Sequence, residues 1–114
     1  MEDITKQGHV SLEIREGVGT ITFFHPAHNS MPGKLLAELA DKITEAGKNS
    51  DIKVIILQSQ GEKTFCAGAS FDELISIKDK ETGHRFFMGF ANVINACRKC
   101  PKLIIGRVQG KAIG

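Results

Sequence analysis

Val54-Ile55-Ile56-Leu57 is the stretch that decides the fold class. Apolar residues, mostly β-branched, follow one another there without alternation, which is the pattern of a strand covered on both faces, as parallel strands between helices are. Upstream, Leu35, Leu36, Leu39, Ala40, Ile43 and Ala46 recur at helical spacing behind Ser30, an N-cap residue type, and Pro32 near the first turn; Gly47 stops them. The spacing predicts one amphipathic helix over about 32–46. Earlier still, Val10, Leu12 and Ile14 alternate with Ser11, Glu13 and Arg15, Glu16-Gly17-Val18-Gly19 breaks the pattern, and Thr20-Ile21-Thr22-Phe23-Phe24 resumes it in part. Residues 10–24 therefore read as a β-hairpin turning through Gly17. His25-Pro26-Ala27-His28-Asn29-Ser30 then leaves the sheet as a structured turn.

Downstream of the central run, Gln60 to Ala69 is a loop rich in glycine and small residues, and Phe71, Leu74 and Ile75 mark one or two helical turns. After a polar link, Phe86, Phe87, Phe90, Ala91, Val93, Ile94 and Cys97 form the apolar stripe of a helix over about 82–99, which Pro101 ends. Leu103 to Val108 is a further strand. The expected fold class is α/β, a hairpin feeding parallel strands against which two helices pack.

The 114 residues, 41% hydrophobic and 25% charged, suit one domain and exclude a disordered chain. The net charge of +2 comes from interspersed signs, which gives nucleic-acid binding no support. No stretch approaches the roughly 18 apolar residues of a membrane span, and no address is visible at the start. Cys66, Cys97 and Cys100 are odd in number, so a reducing compartment, the cytoplasm, is expected rather than a disulfide framework. Cys97 and Cys100 form a CxxC at a helix end before Pro101, which reads as two helix-face cysteines, with no metal site expected. The apolar ending Ala112-Ile113-Gly114 is unlike the polar tail of a natural terminus.

Two segments could carry chemistry. Thr64-Phe65-Cys66-Ala67-Gly68-Ala69-Ser70-Phe71-Asp72-Glu73-Leu74 places small residues directly before a helix, where backbone N–H groups can face outward to a phosphate or a developing oxyanion. Tight packing explains such residues equally well. Gly106-Arg107-Val108-Gln109-Gly110-Lys111-Ala112-Ile113-Gly114 could expose another N–H beyond its strand, or simply pack closely. Asp72 and Glu73 suit the first turn of the short helix as caps more than as acid–base groups. His25 and His28 flank a proline turn and are read as exposed before they are read as ligand contacts, with His84 and His9 behind them. Phe86, Phe87 and Phe90 read as core before acyl pocket, and Lys34, Lys99, Lys102 and Arg107 as solvated charges. No serine sits in a convincing nucleophile elbow.

Taken together, these segments resemble the N-terminal part of the enoyl-CoA hydratase/isomerase, or crotonase, family. Phe65 to Leu74 is similar to that family's F-C-A-G-A-D segment and the short helix after it. Pro26-Ala27-His28-Asn29-Ser30 is similar to its P-x-x-x-N-[AS] turn, one residue shorter here. Lys102 to Gly114 is similar to K-P-x-I-A-A-V-x-G-x-A-x-G-G-G. The chain departs from the pattern with Ser70 for the common Asp, Leu103 for the common Pro, and Asp72 where some hydratases carry Lys.

The resemblance implies a crotonase-like β-β-α spiral, with residues 1–114 as the N-terminal part of a single longer domain. It implies that the Ala69 N–H is one half of an oxyanion hole for a thioester oxygen. Ala67, Gly68, Ala69, Ser70 and Phe71 then form the segment that meets coenzyme A and substrate. Gly114 matches the first glycine of the second motif, adjacent to the other donor, which would fall at the next position together with acid–base glutamates further on. The implied substrate is an acyl-CoA thioester, coenzyme A being part of the substrate rather than a bound cofactor. The implied reaction is hydration of a trans-2-enoyl-CoA, with isomerisation or another acyl-CoA reaction as the alternative, and a non-catalytic acyl-CoA binding or structural module beside both. The 114 residues alone are expected to be inactive, and the whole protein to be a trimer or dimer of trimers.

Overall fold

The hairpin forms as its alternation predicts. In the computed structural model, which describes residues 8–113, β1 (His9–Arg15) and β2 (Val18–Phe24) pair antiparallel from Arg15↔Val18 to His9↔Phe24. The two-residue turn needs left-handed backbone at both positions, and Glu16 (φ 50°) and Gly17 (φ 82°) supply it. Helix α1 (Gly33–Lys48) crosses over to β3 (Val54–Ser59), which lies parallel to β2. β5 (Leu103–Gly106) adds parallel to β3, giving the order β1-β2-β3-β5.

The core sits between this sheet and α1. Ile21 and Phe23 of β2, Leu35, Leu36, Leu39, Ile43 and Ala46 of α1, Ile52 and Ile55 are all buried. Two expectations about coverage change. β3 is not closed on both faces: Ile55 is buried, but Val54 and Ile56 are half-buried and align with Leu103 and Ile105, which are exposed. The second long helix, α3 (Lys80–Lys99), packs mainly on α1 instead of on the sheet, with Gly89 letting it approach Leu36 closely.

Several boundaries also move. Gly47 lies inside α1 and faces Cys100 and Pro101, so the helix continues to Lys48 and ends where Asn49 turns extended. Lys102 is not a solvated charge. Its ammonium donates to the Ala46 carbonyl at 2.8 Å and to the Asn49 carbonyl, closing the C-terminus of α1. α3 begins earlier than its apolar stripe because Asp79 caps it, accepting from the Thr82 N–H and hydroxyl at 2.8 Å each. Those bonds hold the Asp79 carboxyl below its ordinary pKa. Within the stripe, Phe86 is buried and meets Phe87 and Phe90 edge-on, while Phe87 and Ile94 face outward.

Within the segment read as loop, Thr64–Cys66 forms β4, which pairs parallel with β6 (Lys111–Ala112) in a separate small sheet. β5 stops at Gly106 rather than reaching Val108: the bond from the Arg107 N–H to the Leu57 carbonyl is its last rung on β3, and the chain then turns toward β4.

Candidate functional site

The small sheet brings the two candidate segments side by side. Thr64 pairs with Lys111 and Cys66 with Ala112, and the Ile113 N–H donates to the Cys66 carbonyl at 2.9 Å. Both strands run the same way, so residues 67–69 and the chain after Ala112 leave the sheet at the same end. Gly110 permits this approach: a Cβ there would lie 2.4 Å from the Lys63 carbonyl oxygen. Gly114 lies outside the described residues.

Beyond β4 the loop is held by the proline turn. Asn29, buried and at φ 59°, accepts the His25 N–H on Oδ1 and donates from Nδ2 to the carbonyls of Gln60 and Thr64, each at 2.9 Å. Both of its amide hydrogens thus join the turn to the two ends of the β3–β4 connection. The Ala67 N–H donates to the Asn29 carbonyl at 3.4 Å. Gly68, buried and at φ 91°, turns the chain in the left-handed region and points its N–H at the Cys66 sulfur.

Ala69 then pairs with Met31 as an isolated parallel bridge. The Met31 N–H donates to the Gly68 carbonyl at 2.8 Å and the Ser70 N–H to the Met31 carbonyl at 3.4 Å. In a parallel bridge the neighbours of the central residue make these bonds, so the N–H of Ala69 itself points away from Met31. Among the described residues it meets no acceptor, and Ala69 is half-exposed. A backbone donor without a partner, held from both sides in a partly open position, is what a substrate oxygen can accept from.

Ser70, buried, caps the short helix α2 (Phe71–Ser76) by accepting the Glu73 N–H at 3.4 Å. Phe71 is 73% exposed, open to any ligand above the loop. Glu73 does more than the cap expected of it: its Oε2 accepts the Gly33 N–H at 2.7 Å, at the start of α1. That replaces the expected Ser30 cap, since the N-cap is Pro32, which offers no side-chain bond. Nothing in the sequence signals a link across these positions.

The histidines divide. His25 is half-buried, and its Nδ1 accepts from the Ala27 N–H at 3.1 Å and contacts the Ser30 hydroxyl at 3.3 Å. Burial lowers its pKa, against an opposing pull from Asp72. His28 is exposed at φ 55°. Cys97 and Cys100 are free thiols, and burial followed by the neighbouring Cys100 pushes the Cys97 thiol up. Among the described residues no group of His, Cys, Asp and Glu is placed to hold a metal ion, and no helix is long and apolar enough to cross a membrane. A groove of about 840 Å³ runs between α1 and α3, lined in part by Lys34, Asp41, Arg85 and Asn92, but none of residues 67–70 lines it.

Comparison with known proteins gives the family and the fold. The family model for enoyl-CoA hydratase/isomerase matches residues 13–114. The chain belongs to the enoyl-CoA hydratase/isomerase family. Its fold is correspondingly the crotonase-like α/β fold. Ethylmalonyl-CoA decarboxylase of Gallus gallus is 28% identical over 99 residues, covering 86% of this chain and 33% of that protein. The solved structure of DspI from Pseudomonas aeruginosa superposes with a TM-score of 0.83 at 25% identity, covering 98% of this chain and 41% of that one. Enoyl-CoA hydratase from Bacillus anthracis shares the fold with a TM-score of 0.80 at 24% identity, over 89% of this chain and 40% of its own. The chain thus spans about a third of the length of the curated relative and about two-fifths of these solved structures.

Proposed function

We propose that the chain carries the thioester-binding part of an acyl-CoA enzyme, with the Ala69 N–H donating to the thioester carbonyl oxygen as negative charge grows there. The observation that carries this reading is the Ala69 N–H beside the Met31 bridge, without an acceptor among the described residues, in a chain of the enoyl-CoA hydratase/isomerase family. Ala67, Gly68, Ser70 and Phe71 form the coenzyme A and substrate segment around it, and Gly114 adjoins the second donor. Residues 1–114 are the N-terminal part of one domain, and the whole protein is a homo-oligomer.

The chemistry asks little of the Ala69 side chain. As charge moves onto the thioester oxygen, a fixed N–H lowers the energy of the enolate without reorganising, and each such donor contributes on the order of 3 kcal/mol. In hydration of a trans-2-enoyl-CoA, water adds at C3 and electrons flow to that oxygen before C2 takes a proton. Double-bond isomerisation passes through the same charge distribution. The relative from Gallus gallus favours a second reading, decarboxylation, in which loss of carbon dioxide from a malonyl-type thioester leaves the same enolate.

Calorimetric titration with butyryl-CoA and with its S-butyl thioether, which lacks the carbonyl oxygen, tests the shared step. The thioester is expected to bind about tenfold more tightly, as one hydrogen bond to its carbonyl oxygen implies. Equal affinities would contradict the assignment. Product analysis after incubation of the whole protein with a trans-2-enoyl-CoA and with ethylmalonyl-CoA separates hydration from decarboxylation.

A further inference from the structure

The short helix α2, which follows the Ala69 loop, contains no buried residue; Phe71 and Ile75 are 73% and 68% exposed. Apolar packing therefore contributes little to its placement. We propose that Glu73 is a positioning residue for the Ala69 amide, acting through the N-terminus of α1. This rests on the reading of Ala69 as the thioester donor.

Three features carry it. α1 starts at Pro32 without a side-chain cap, so the N–H of Gly33 is one of its orphan donors, and the Glu73 carboxylate takes it at 2.7 Å. A charged acceptor at the positive end of a helix makes a strong, directional bond. Gly33 leaves room for it: a Cβ at that position would lie 2.8 Å from Glu73 Oε1, so the flexible end of the carboxylate would have to shift to accommodate a side chain. Finally, the link closes a ring. Met31-Pro32-Gly33 form one side and Ala69 to Glu73 the other, joined by the Met31–Ala69 bridge at one end and by the carboxylate at the other. Inside the ring the Glu73 N–H is held by Ser70 Oγ. With the carboxylate in place, α2 cannot swing about the bridge, and the direction of the Ala69 N–H is set. Without it, α2 has no tie to the start of α1, and the bonds of the Met31 bridge, from the Met31 N–H to Gly68 at 2.8 Å and from the Ser70 N–H to Met31 at 3.4 Å, hold the loop only at its other end.

A mere helix cap predicts a different result, and amide hydrogen exchange on the ligand-free whole protein tells them apart. In Glu73→Ala and Gly33→Ala, the Ser70 amide is expected to exchange about tenfold faster relative to the α1 core amide of Leu39, while Glu73→Gln, which keeps an acceptor, stays near wild type. If Glu73 only caps α1, Gly33→Ala leaves the Ser70 amide unchanged or slows it, because alanine is the better helix former. Unchanged Ser70 exchange in Gly33→Ala, or Glu73→Gln behaving like Glu73→Ala, would overturn the proposal. Should Glu73→Ala fail to fold, the other two variants decide. A wild-type chain whose Ala69 amide ignores a bound thioester would refute the functional reading instead, and the exchange result would still judge the ring.

Discussion

Met31 and Ala69 face each other across a bridge in which the Met31 N–H donates to the Gly68 carbonyl and the Ser70 N–H to the Met31 carbonyl, so that the Ala69 N–H is turned outward. The amides of Met31 and Ala69 should therefore behave oppositely. In the free chain, Ala69 is expected to exchange with solvent at least about tenfold faster than Met31, read by amide exchange NMR. Comparable protection at both would mean that Ala69 has an internal acceptor.

Asn29, buried, holds the turn to both ends of the β3–β4 connection through two hydrogen bonds from Nδ2 and closes the turn by accepting the His25 N–H on Oδ1. Asn29→Ala leaves the Gln60 and Thr64 carbonyls without that partner and places alanine at φ 59°. The expected loss is about 3 kcal/mol in urea unfolding. Asn29→Gly relieves the backbone and should recover about 1 kcal/mol of it.

Lys102 ties the start of β5 to the end of α1. Lys102→Met keeps the apolar stem and removes the ammonium, and should cost about 1–2 kcal/mol in the same measurement.

His25 gives the turn a pH dependence of defined sign. Burial lowers its pKa from the ordinary 6.5, with Asp72 opposing. The unfolded chain therefore protonates first as pH falls. The stability from keeping this imidazole neutral is complete above about pH 6.5 and is lost progressively toward the lowered folded value. Protonation also turns Nδ1 from the acceptor of the Ala27 N–H into a donor. Thermal melts from pH 7.5 to 5 should show a smaller decline for His25→Asn, whose side chain accepts the same N–H without titrating.

What the sequence makes legible follows from where its information is local. The alternation in residues 10–14 and the helical spacing from Leu35 to Ala46 are periodic over many residues, and the hairpin and α1 form where they say. The run at Val54 gives a parallel strand, but not that its outer face stays partly open, which depends on what packs there. β4, Thr64–Cys66, is too short to show a period. The Glu73–Gly33 bond and the Lys102 cap join residues 40 and 53–56 positions apart. No local pattern encodes such links. The role proposed for Ala69 comes only from the resemblance to a family segment, since composition alone leaves packing an equal explanation.

The most direct test of the central claim observes the Ala69 amide during binding. With the whole protein 15N-labelled, saturating butyryl-CoA should move the Ala69 amide proton strongly downfield, as a new hydrogen bond to a carbonyl oxygen requires, while S-butyl-CoA at equal saturation should leave it nearly in place. An Ala69 resonance that stays put with the thioester, or that moves equally with the thioether, would contradict the account.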